Sequence, residues 1–306
     1  MRQFLCNSFP DSTGKLVVNG KNYRYLVKVL RFSEGEELDA RLPDGKLVRF
    51  CVERVQQQQM SAVLRLISLD SLLADDITGT TQGVQAFEVQ EIADRMPELW
   101  LFQFLPKPQK MDLIVRQATE CGVRYIVPIA GEYSLKNDSS GRKERWERII
   151  REARQQCGSA VATEIKDVVS VGAAAEMWKK FAESVVSATK NLRDGATSAS
   201  DVSASKTAPE NAANAINSCA VSSDATCAFL LDENPSVGKG SLARIFKANV
   251  TAAALAVGCE GGMSEQEKKV LLEAGFMPLH FMTNVLRAET ASLYGIAVIQ
   301  QFLSAD

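Results

Sequence analysis

Residues 252–257 (AAALAV) lead directly into Gly258-Cys259-Glu260-Gly261-Gly262, and residues 264–267 (SEQE) follow after one methionine. The short apolar run predicts a buried β-strand. A serine at an N-cap with a glutamate three positions later is a capping box, which predicts a helix over residues 264–274. Adjacent glycines let the backbone approach a ligand and present its amide groups, although a tight turn without a ligand fits the same pattern. Strand, glycine turn and helix together predict one unit of an α/β fold.

The same alternation of strands and helices extends to both sides of this unit. Strands separated by helices predict a largely parallel sheet, whose binding crevice lies at the carboxyl ends of the strands. The last helix is apolar on more than one side, which favours a subunit interface. The further predicted strands are residues 98–105, 125–129, 228–232 and 277–281, and the further helices are residues 110–121, 142–157 and 288–303.

The first seventy or so residues have a different pattern. Residues 38–42 and 46–52 alternate in polarity on either side of the turn dipeptide Asp44-Gly45, and residues 61–69 alternate again. A short helix is predicted over residues 21–31. We therefore expect a small β-barrel-like module at the N-terminus.

Composition shifts suggest the domain limits. Residues 75–97 are polar and weakly patterned, so we predict one domain over residues 1–74, a linker over 75–97 and a second domain over 98–306. Residues 188–226 are rich in Ala, Ser, Asn and Thr and contain few large apolar side chains. Such a segment cannot bury enough surface to form core, which predicts a low-complexity surface insertion in the second domain.

The whole-chain composition is that of a globular cytoplasmic protein. Of the 306 residues, 46% are hydrophobic and 24% are charged, and no apolar run is long enough to span a bilayer. The N-terminus lacks the pattern of a signal peptide. The seven cysteines are scattered, none forms a CxxC pair and His280 is the only histidine, so we expect reduced thiols and no metal site.

Positive charge is concentrated in two places, although the net charge is −2. Residues 1–31 contain six basic residues against one acidic residue, and residues 142–154 contain six against three. Local basic surface can contact phosphates even in an acidic chain. For the second cluster, a solvated helix face with ion pairs along the helix is an equally good interpretation.

A second motif lies about twenty-five residues beyond the glycine turn. In residues 284–291 (NVLRAETA), Arg287 and Glu289 stand at the start of the last predicted helix, directly after a predicted strand. They would therefore face the binding crevice, although a helix cap in which the two residues pair with each other is the alternative. Nucleotide-phosphate motifs are excluded by spacing, since no GxGxxG follows a strand and residues 237–241 (VGKGS) do not complete a P-loop.

These two motifs resemble those of the ribosomal small-subunit methyltransferase E family, the bacterial 16S rRNA uridine-N3 methyltransferases of the SPOUT superfamily. Residues 258–262 (GCEGG) are similar to the family's Gly-Pro-Glu-Gly-Gly loop, and residues 281–291 (FMTNVLRAETA) to its Leu-Gly-x-Arg-Ile-Leu-Arg-x-Glu-Thr-Ala. The resemblance continues in order along almost the whole chain. Its other motifs are residues 25–31 (YLVKVLR), 110–112 (KMD), 117–123 (QATECGV), 132–134 (EYS) and 145–158 (RWERIIREARQQCG).

The resemblance implies a fold, a reaction and a set of site residues. The fold is a SPOUT-type, trefoil-knotted and mostly parallel sheet with an N-terminal PUA-like β-barrel domain, active as a homodimer. The reaction is S-adenosylmethionine-dependent methylation of N3 of a uridine in 16S rRNA, position 1498 in the family, with the rRNA or the small ribosomal subunit as partner. Arg287 would stabilise charge on the uracil oxygens, and Glu289 is a candidate general base. The implied cofactor-binding residues are Leu230, Leu231, Gly258, Glu260, Gly261, Gly262, Phe281, Met282, Asn284, Val285 and Leu286. From their charge, the candidate RNA-binding residues are Arg2, Lys28, Arg31, Lys107 and Lys110.

Some departures from the family pattern change the chemical type of the side chain. Cys259 replaces a proline, Met282 a glycine, Asn284 an arginine, Tyr133 an arginine and Tyr25 a histidine. In the family, the glycine at the Met282 position lies in the loop that wraps the cofactor, so a methionine there is expected beside the cofactor. Two alternatives stay open: an RNA-binding protein that has lost catalysis, or a methyltransferase with another rRNA or tRNA target.

Overall fold

The computed structural model describes residues 4–68, 96–134, 141–196, 225–234 and 250–303. The chain divides into two compact units. The first comprises residues 1–96, 112–124 and 140–165, and the second comprises residues 97–111, 125–139 and 166–306. The predicted division into residues 1–74, 75–97 and 98–306 stays a prediction, and most of the predicted linker lies outside the described residues.

The strands and helices of the described residues alternate as follows. The strands are β1 (Phe4–Leu5), β2 (Lys15–Asn19), β3 (Glu37–Arg41), β4 (Leu47–Gln56), β5 (Ser61–Ser68), β6 (Glu98–Phe104), β7 (Tyr125–Ile129), β8 (Glu164–Ile165), β9 (Thr226–Leu231), β10 (Ala252–Val257) and β11 (Met277–Leu279). The helices are α1 (Gly20–Arg24), which a π-helical turn (Tyr25–Val29) extends, α2 (Pro108–Glu120), α3 (Arg142–Cys157), α4 (Val171–Ala196), α5 (Glu265–Glu273) and α6 (Ala288–Leu303).

The first unit contains a five-stranded sheet in the order β1-β3-β4-β5-β2. β1 and β3 are parallel, and the other neighbours are antiparallel. The predicted turn at Asp44-Gly45 joins β3 to β4, and the alternating side chains of β4 place Val48, Phe50 and Val52 in the core. The predicted alternation in the N-terminal module is thus confirmed. The helix α3 belongs to the same unit and buries Trp146, the two isoleucines and Ala153 on one face, as its periodicity predicts.

The second unit contains five parallel strands in the order β11-β9-β10-β6-β7. The strand β10, which is the AAALAV run, lies in the middle with every side chain buried. Its alanines are small, and Ala254 lies in register with Trp100 of β6 and Ala228 of β9. A strand covered on both faces needs an unbroken apolar sequence, which explains the composition of β10.

An aromatic cluster covers one face of this sheet. Phe102 of β6 packs edge-on against Trp178 and Phe276, with ring centroids 6.3 and 5.5 Å apart. Trp178 lies on α4, a helix that the sequence analysis did not predict. The helix α4 continues to Ala196 and β9 begins at Thr226, so regular structure enters the proposed insertion 188–226 from both ends. The rest of that range lies outside the described residues, except Ala225.

The end of the last strand differs from the prediction. The strand β11 ends at Leu279 rather than at residue 281, because the chain leaves the sheet at His280 to form the loop before α6. Among the described helices, none has the length and apolar character needed to cross a membrane.

Candidate active site

Three loops of the second unit surround one cavity of about 430 Å³. They follow β9, β10 and β11, whose carboxyl ends lie side by side in the sheet. This is the position in which parallel α/β sheets bind ligands, and the volume is in the range of small-molecule sites. The glycine turn of residues 258–262 and the segment of residues 281–287 form much of the wall, so both sequence motifs meet here.

The glycine turn is shaped by its own backbone. Cys259 accepts a hydrogen bond of 3.0 Å from the amide of Gly262, which has a φ of +77°. A Cβ on Gly258 would lie 2.9 Å from the carbonyl carbon of Gly262. Cys259, which stands where the family has proline, is buried, and its thiol lies 3.5 Å from the Gly262 carbonyl oxygen. Burial raises the pKa of this thiol, so Cys259 acts as a small buried side chain that holds the turn closed.

A fourth loop, residues 131–134, is fastened to the glycine turn. A Cβ on Gly261 would lie 2.8 Å from the Cβ of Tyr133, whose ring is half exposed. The predicted capping box is confirmed, because Ser264 and Glu267 hydrogen bond reciprocally at the start of α5. Glu267 has a second role, since its Oε1 accepts a hydrogen bond of 2.7 Å from the amide of Glu132. One buried carboxylate therefore joins the fourth loop to the helix that follows the glycine turn.

Gln103 joins the glycine turn to α6. Its side chain is fully buried, and its Nε2 donates to carbonyl oxygens of Phe104 at 2.9 Å and of Val257 and Gly258 at 3.3 Å. Its Oε1 accepts a hydrogen bond of 2.6 Å from the hydroxyl of Ser292 on α6. The sequence analysis missed Gln103, although an uncharged polar residue in the apolar run of residues 98–105 is a signal that could have pointed to it.

Lys110 lies between two carboxylates of the site. Its Nζ is 3.1 Å from Oε2 of Glu289 and 3.4 Å from Oε1 of Glu260. The contact with Glu289 holds the pKa of Lys110 above its usual value. Burial acts to raise the pKa of Glu289, but hydrogen bonds from its own amide and from Lys110 outweigh burial and lower it. Glu289 is therefore a carboxylate at neutral pH, and the alternative in which it pairs with Arg287 is not observed.

Arg287 stands at the mouth of the cavity with an exposed side chain. Within the described part of the chain, its guanidinium has no carboxylate within 4 Å. Its positive charge contributes to the lowered pKa of Glu289, two residues further along. Arg287 is thus available to an anionic or partly charged group in the cavity.

Most of the predicted cofactor-binding residues line the cavity, but Leu230 and Met282 do not. Those that line the cavity are Leu231, Gly258, Glu260, Gly261, Gly262, Phe281, Asn284, Val285 and Leu286. Leu230 is buried in the core instead, because side chains alternate along β9. Met282, which was expected beside the cofactor, is 97% exposed and does not line the cavity.

The cavity also has lining residues that the sequence analysis did not name. Asp232, directly after β9, forms an ion pair of 3.0 Å with Lys268 of α5. His280 Nδ1 lies 3.1 Å from the backbone oxygen of Asp232. The rule that strand ends carry the site would have identified Asp232.

The candidate RNA-binding residues belong to different units. Lys28 and Arg31 are exposed in the first unit, and Arg31 has a φ of +65°. Lys107 and Lys110 belong to the second unit, where the amide of Lys107 donates to Glu260 at 3.2 Å. Arg2 lies outside the described residues.

Family models match both parts of the chain. An RNA methyltransferase domain matches residues 94–216 and 203–300, and an RNA methyltransferase PUA domain matches residues 18–64. The chain belongs to the RNA methyltransferase domain family.

The similar proteins carry a more specific name. Ribosomal RNA small subunit methyltransferase E of Aquifex aeolicus is 25% identical over 268 residues, which cover 85% of this chain and 93% of that protein. The protein of the same name from Bacillus subtilis is 22% identical, with 92% of this chain and 88% of that protein covered. The crystal structure of the Neisseria gonorrhoeae protein of that name, bound to S-adenosyl methionine, has a TM-score of 0.65, with 19% identity and coverage of 98% and 97%. The resemblance and the SPOUT-type α/β class with a PUA-like domain are thus confirmed, while the trefoil knot stays a prediction.

Proposed function

We propose that this chain uses S-adenosylmethionine to methylate N3 of a uridine in 16S ribosomal RNA, as a cytoplasmic homodimer. The observation that carries the proposal is the cavity at the ends of three parallel strands, with the glycine turn on one side and Arg287 at its mouth. Relatives that match most of the chain are named ribosomal RNA small subunit methyltransferase E, which supports the substrate class.

The residues around the cavity fit S-adenosylmethionine. Leu231, Val257 and Leu286 supply apolar surface for a flat base, and Asp232 supplies a carboxylate that could accept hydrogen bonds from ribose hydroxyls. The backbone of residues 258–262 borders the same space. Three of these five residues are glycines, so within the turn only Cys259 and Glu260 carry side chains. When bound, the cofactor would supply a methyl group on a sulfonium, whose sulfur would leave readily as a neutral thioether.

The acceptor chemistry gives Arg287 and Glu289 their proposed roles. N3 lies on the Watson–Crick edge of uracil, so the base must be unpaired before it can react. N3 also carries a proton, and as that proton leaves, negative charge spreads to the carbonyl oxygens O2 and O4. Arg287 is free among the described residues to stabilise that charge. Glu289 is ionised and can accept the proton, although its lowered pKa makes it a weak base.

The exposed position of Met282 bears on the alternative of a catalytically inactive RNA-binding protein. That alternative is motivated by Met282 and Asn284, which replace a glycine and an arginine of the family pattern. The Met282 side chain is 97% exposed and lies outside the cavity wall, so it does not obstruct the cavity, whereas Asn284 lines it. Active methylation is therefore the better-supported hypothesis.

Exposed apolar side chains support the homodimer. Val285 is 78% exposed, and Tyr294 of α6 is 45% exposed. The opposite face of α6 is already buried through Ile296 and Ile299. A second copy of the chain would cover what a monomer leaves in water.

The test combines cofactor binding with methyl transfer. Calorimetry should detect binding of S-adenosylmethionine, and mass mapping of 16S rRNA after reaction should locate one methyl group on a uridine. Arg287→Ala should lower the single-turnover rate by about 100-fold and leave the cofactor Kd unchanged, because its role begins when charge develops on the base. Arg54→Ala, at an exposed arginine of the first unit, is the matched control. Methylation by Arg287→Ala at the parent rate would remove the arginine from the mechanism, and a methyl group on another RNA would refute the proposed target.

A further inference from the structure

A second cavity, of about 360 Å³, lies within the first unit. Its walls come from the segment after β1, from the β2 strand and the start of α1, and from α3. It shares no residue with the cavity of the candidate active site, and none of the proposed site residues lines it.

The two basic clusters of the sequence meet in this cavity. Lys21 belongs to the cluster in residues 1–31, and Arg151 belongs to the cluster in residues 142–154. The chain separates them by more than a hundred residues, and the fold of the first unit brings both residues to the same cavity. Arg151 is exposed and also borders this cavity, so both interpretations of its cluster stay predictions.

The rest of the polar lining is uncharged and rich in donors. Asn7, Ser8, Asn19 and Asn22 contribute three amide groups and one hydroxyl, and no acidic residue lines the cavity. The apolar part of the wall comes from side chains such as Phe4 and Leu16. Two cations with amide and hydroxyl donors, and no carboxylate to repel an anion, form a lining suited to a phosphate group.

These polar groups are not used within the protein as far as the structure describes it. Neither Lys21 nor Arg151 has a carboxylate within 4 Å among the described residues, and the side chains of the three asparagines and the serine form no hydrogen bond there. Several other cations of the same unit are paired. Examples are Arg49 with Asp39 at 2.9 Å, Arg65 with Glu53 at 2.7 Å and Arg145 with Asp112 at 2.6 Å.

We propose that this cavity is a second RNA contact, which binds a backbone phosphate of the ribosomal RNA. The inference rests on the proposed function for its source of phosphate. Arg151 and Lys21 would contact the phosphate oxygens, while the asparagine amides donate to phosphate or ribose oxygens. A backbone contact of this kind holds the RNA in place without reading its sequence. The first unit would thereby contribute affinity, whereas the choice of the reacting base belongs to the active site.

The test measures the binding of 16S rRNA over a range of salt concentrations. Release of counterions makes one phosphate contact worth about five- to eightfold in Kd at 0.1 M salt, and lowers the salt slope by about 0.7 to 0.9 per contact. Lys21→Ala and Arg151→Ala should each show part of this loss, and the double variant, which removes both cations from the one phosphate, should show all of it. Asn19→Asp, which places a negative charge in the cavity without changing size, should weaken binding as well.

Two controls remove a charge of the same kind elsewhere in the first unit. Lys46→Ala removes an exposed lysine that pairs with Asp44, and Arg148→Ala removes an exposed arginine on the same helix as Arg151. All variants alter exposed side chains, and their melting temperatures should match the parent. If the double variant binds RNA no more weakly than the controls, the proposal is wrong.

Two further measurements separate the possible outcomes. In the first, inorganic phosphate is added while the NMR signals of the asparagine side-chain amides are followed, which tests whether the cavity binds free phosphate. Saturation by phosphate together with unchanged RNA binding in the variants would overturn the RNA contact. Methyl transfer at saturating RNA should proceed at the parent rate in the double variant, with only KM raised. If the parent chain methylates nothing but the double variant still loses RNA affinity, the proposed function fails and the phosphate contact stands.

Discussion

Replacing Gln103 by leucine should remove the hydrogen bonds that connect the glycine turn to α6, and should therefore destabilise the candidate active site. The side chain is fully buried and holds carbonyl oxygens of Phe104, Val257 and Gly258 together with the hydroxyl of Ser292. Leucine has a similar volume but offers no hydrogen bond. Each buried polar group left without a partner costs about 1–3 kcal/mol, and Ser292 keeps the Ala288 oxygen at 2.9 Å, so we expect a total loss of about 2–4 kcal/mol.

That loss should be visible as a lower melting temperature and as slower methyl transfer. For a chain of this size it corresponds to a fall of about 3–6 °C. A small displacement of the glycine turn should also reduce the single-turnover rate by about 10- to 100-fold. The matched control is Gln117→Leu, because Oε1 of Gln117 is buried without a hydrogen-bond partner among the described residues, and this change should be nearly neutral. If Gln103→Leu melts within a degree of Gln117→Leu, the network does not hold the turn and the reasoning fails.

Four further results are expected. Met282→Gly should leave folding and cofactor affinity almost unchanged, since the side chain is 97% exposed; calorimetry that finds binding abolished would show that this loop is built differently. Gly261→Ala should weaken cofactor binding, because its Cβ would lie 2.8 Å from Tyr133, and Tyr133→Gly in the same chain should restore part of the affinity. Lys110→Met should lower the melting temperature at pH 7. Its difference from the parent should shrink as the pH falls below 4.5 through the lowered pKa of Glu289, because the pair stabilises only while the carboxylate is ionised; a difference that does not change with pH would contradict this. Light scattering should give a dimer mass at micromolar concentration, and a monomer mass would rule out the interface proposed for α6.

The elements of the sheet could be predicted because their signals are local. The run AAALAV needs only its own six residues to be recognised as a buried strand, and Ser264 with Glu267 needs only four to mark a helix start. The helix α4 was missed for the opposite reason. Its first turns are rich in alanine, and its membership in the core depends on Trp178 reaching Phe102 and Phe276 from distant parts of the chain.

The candidate site was predicted where a motif supplied it and missed where contacts are long-range. Arg287 and the glycine turn could be found in the sequence, and both line the cavity. The link from Glu267 to the amide of Glu132 spans 135 positions, and no sequence period indicates it. Met282 was misplaced because its spacing gives its position in the loop but not the direction of its side chain.

The glycine turn was predicted correctly, but the reason given for its glycines was incomplete. Its glycines were expected to make room for a ligand. At two of them, however, it is a contact within the protein that leaves no room for a Cβ: Gly258 passes close to Gly262, and Gly261 lies against Tyr133. The family's arginine at the Tyr133 position and the tyrosine found here both carry a Cβ, so the glycine opposite is needed in either case. A ligand therefore meets a turn whose shape is already set by Cys259, Gly262 and the neighbouring loop. From this we infer that substitutions in the loop of residues 131–134 should change cofactor affinity without contacting the cofactor, in proportion to how far they let the glycine turn move.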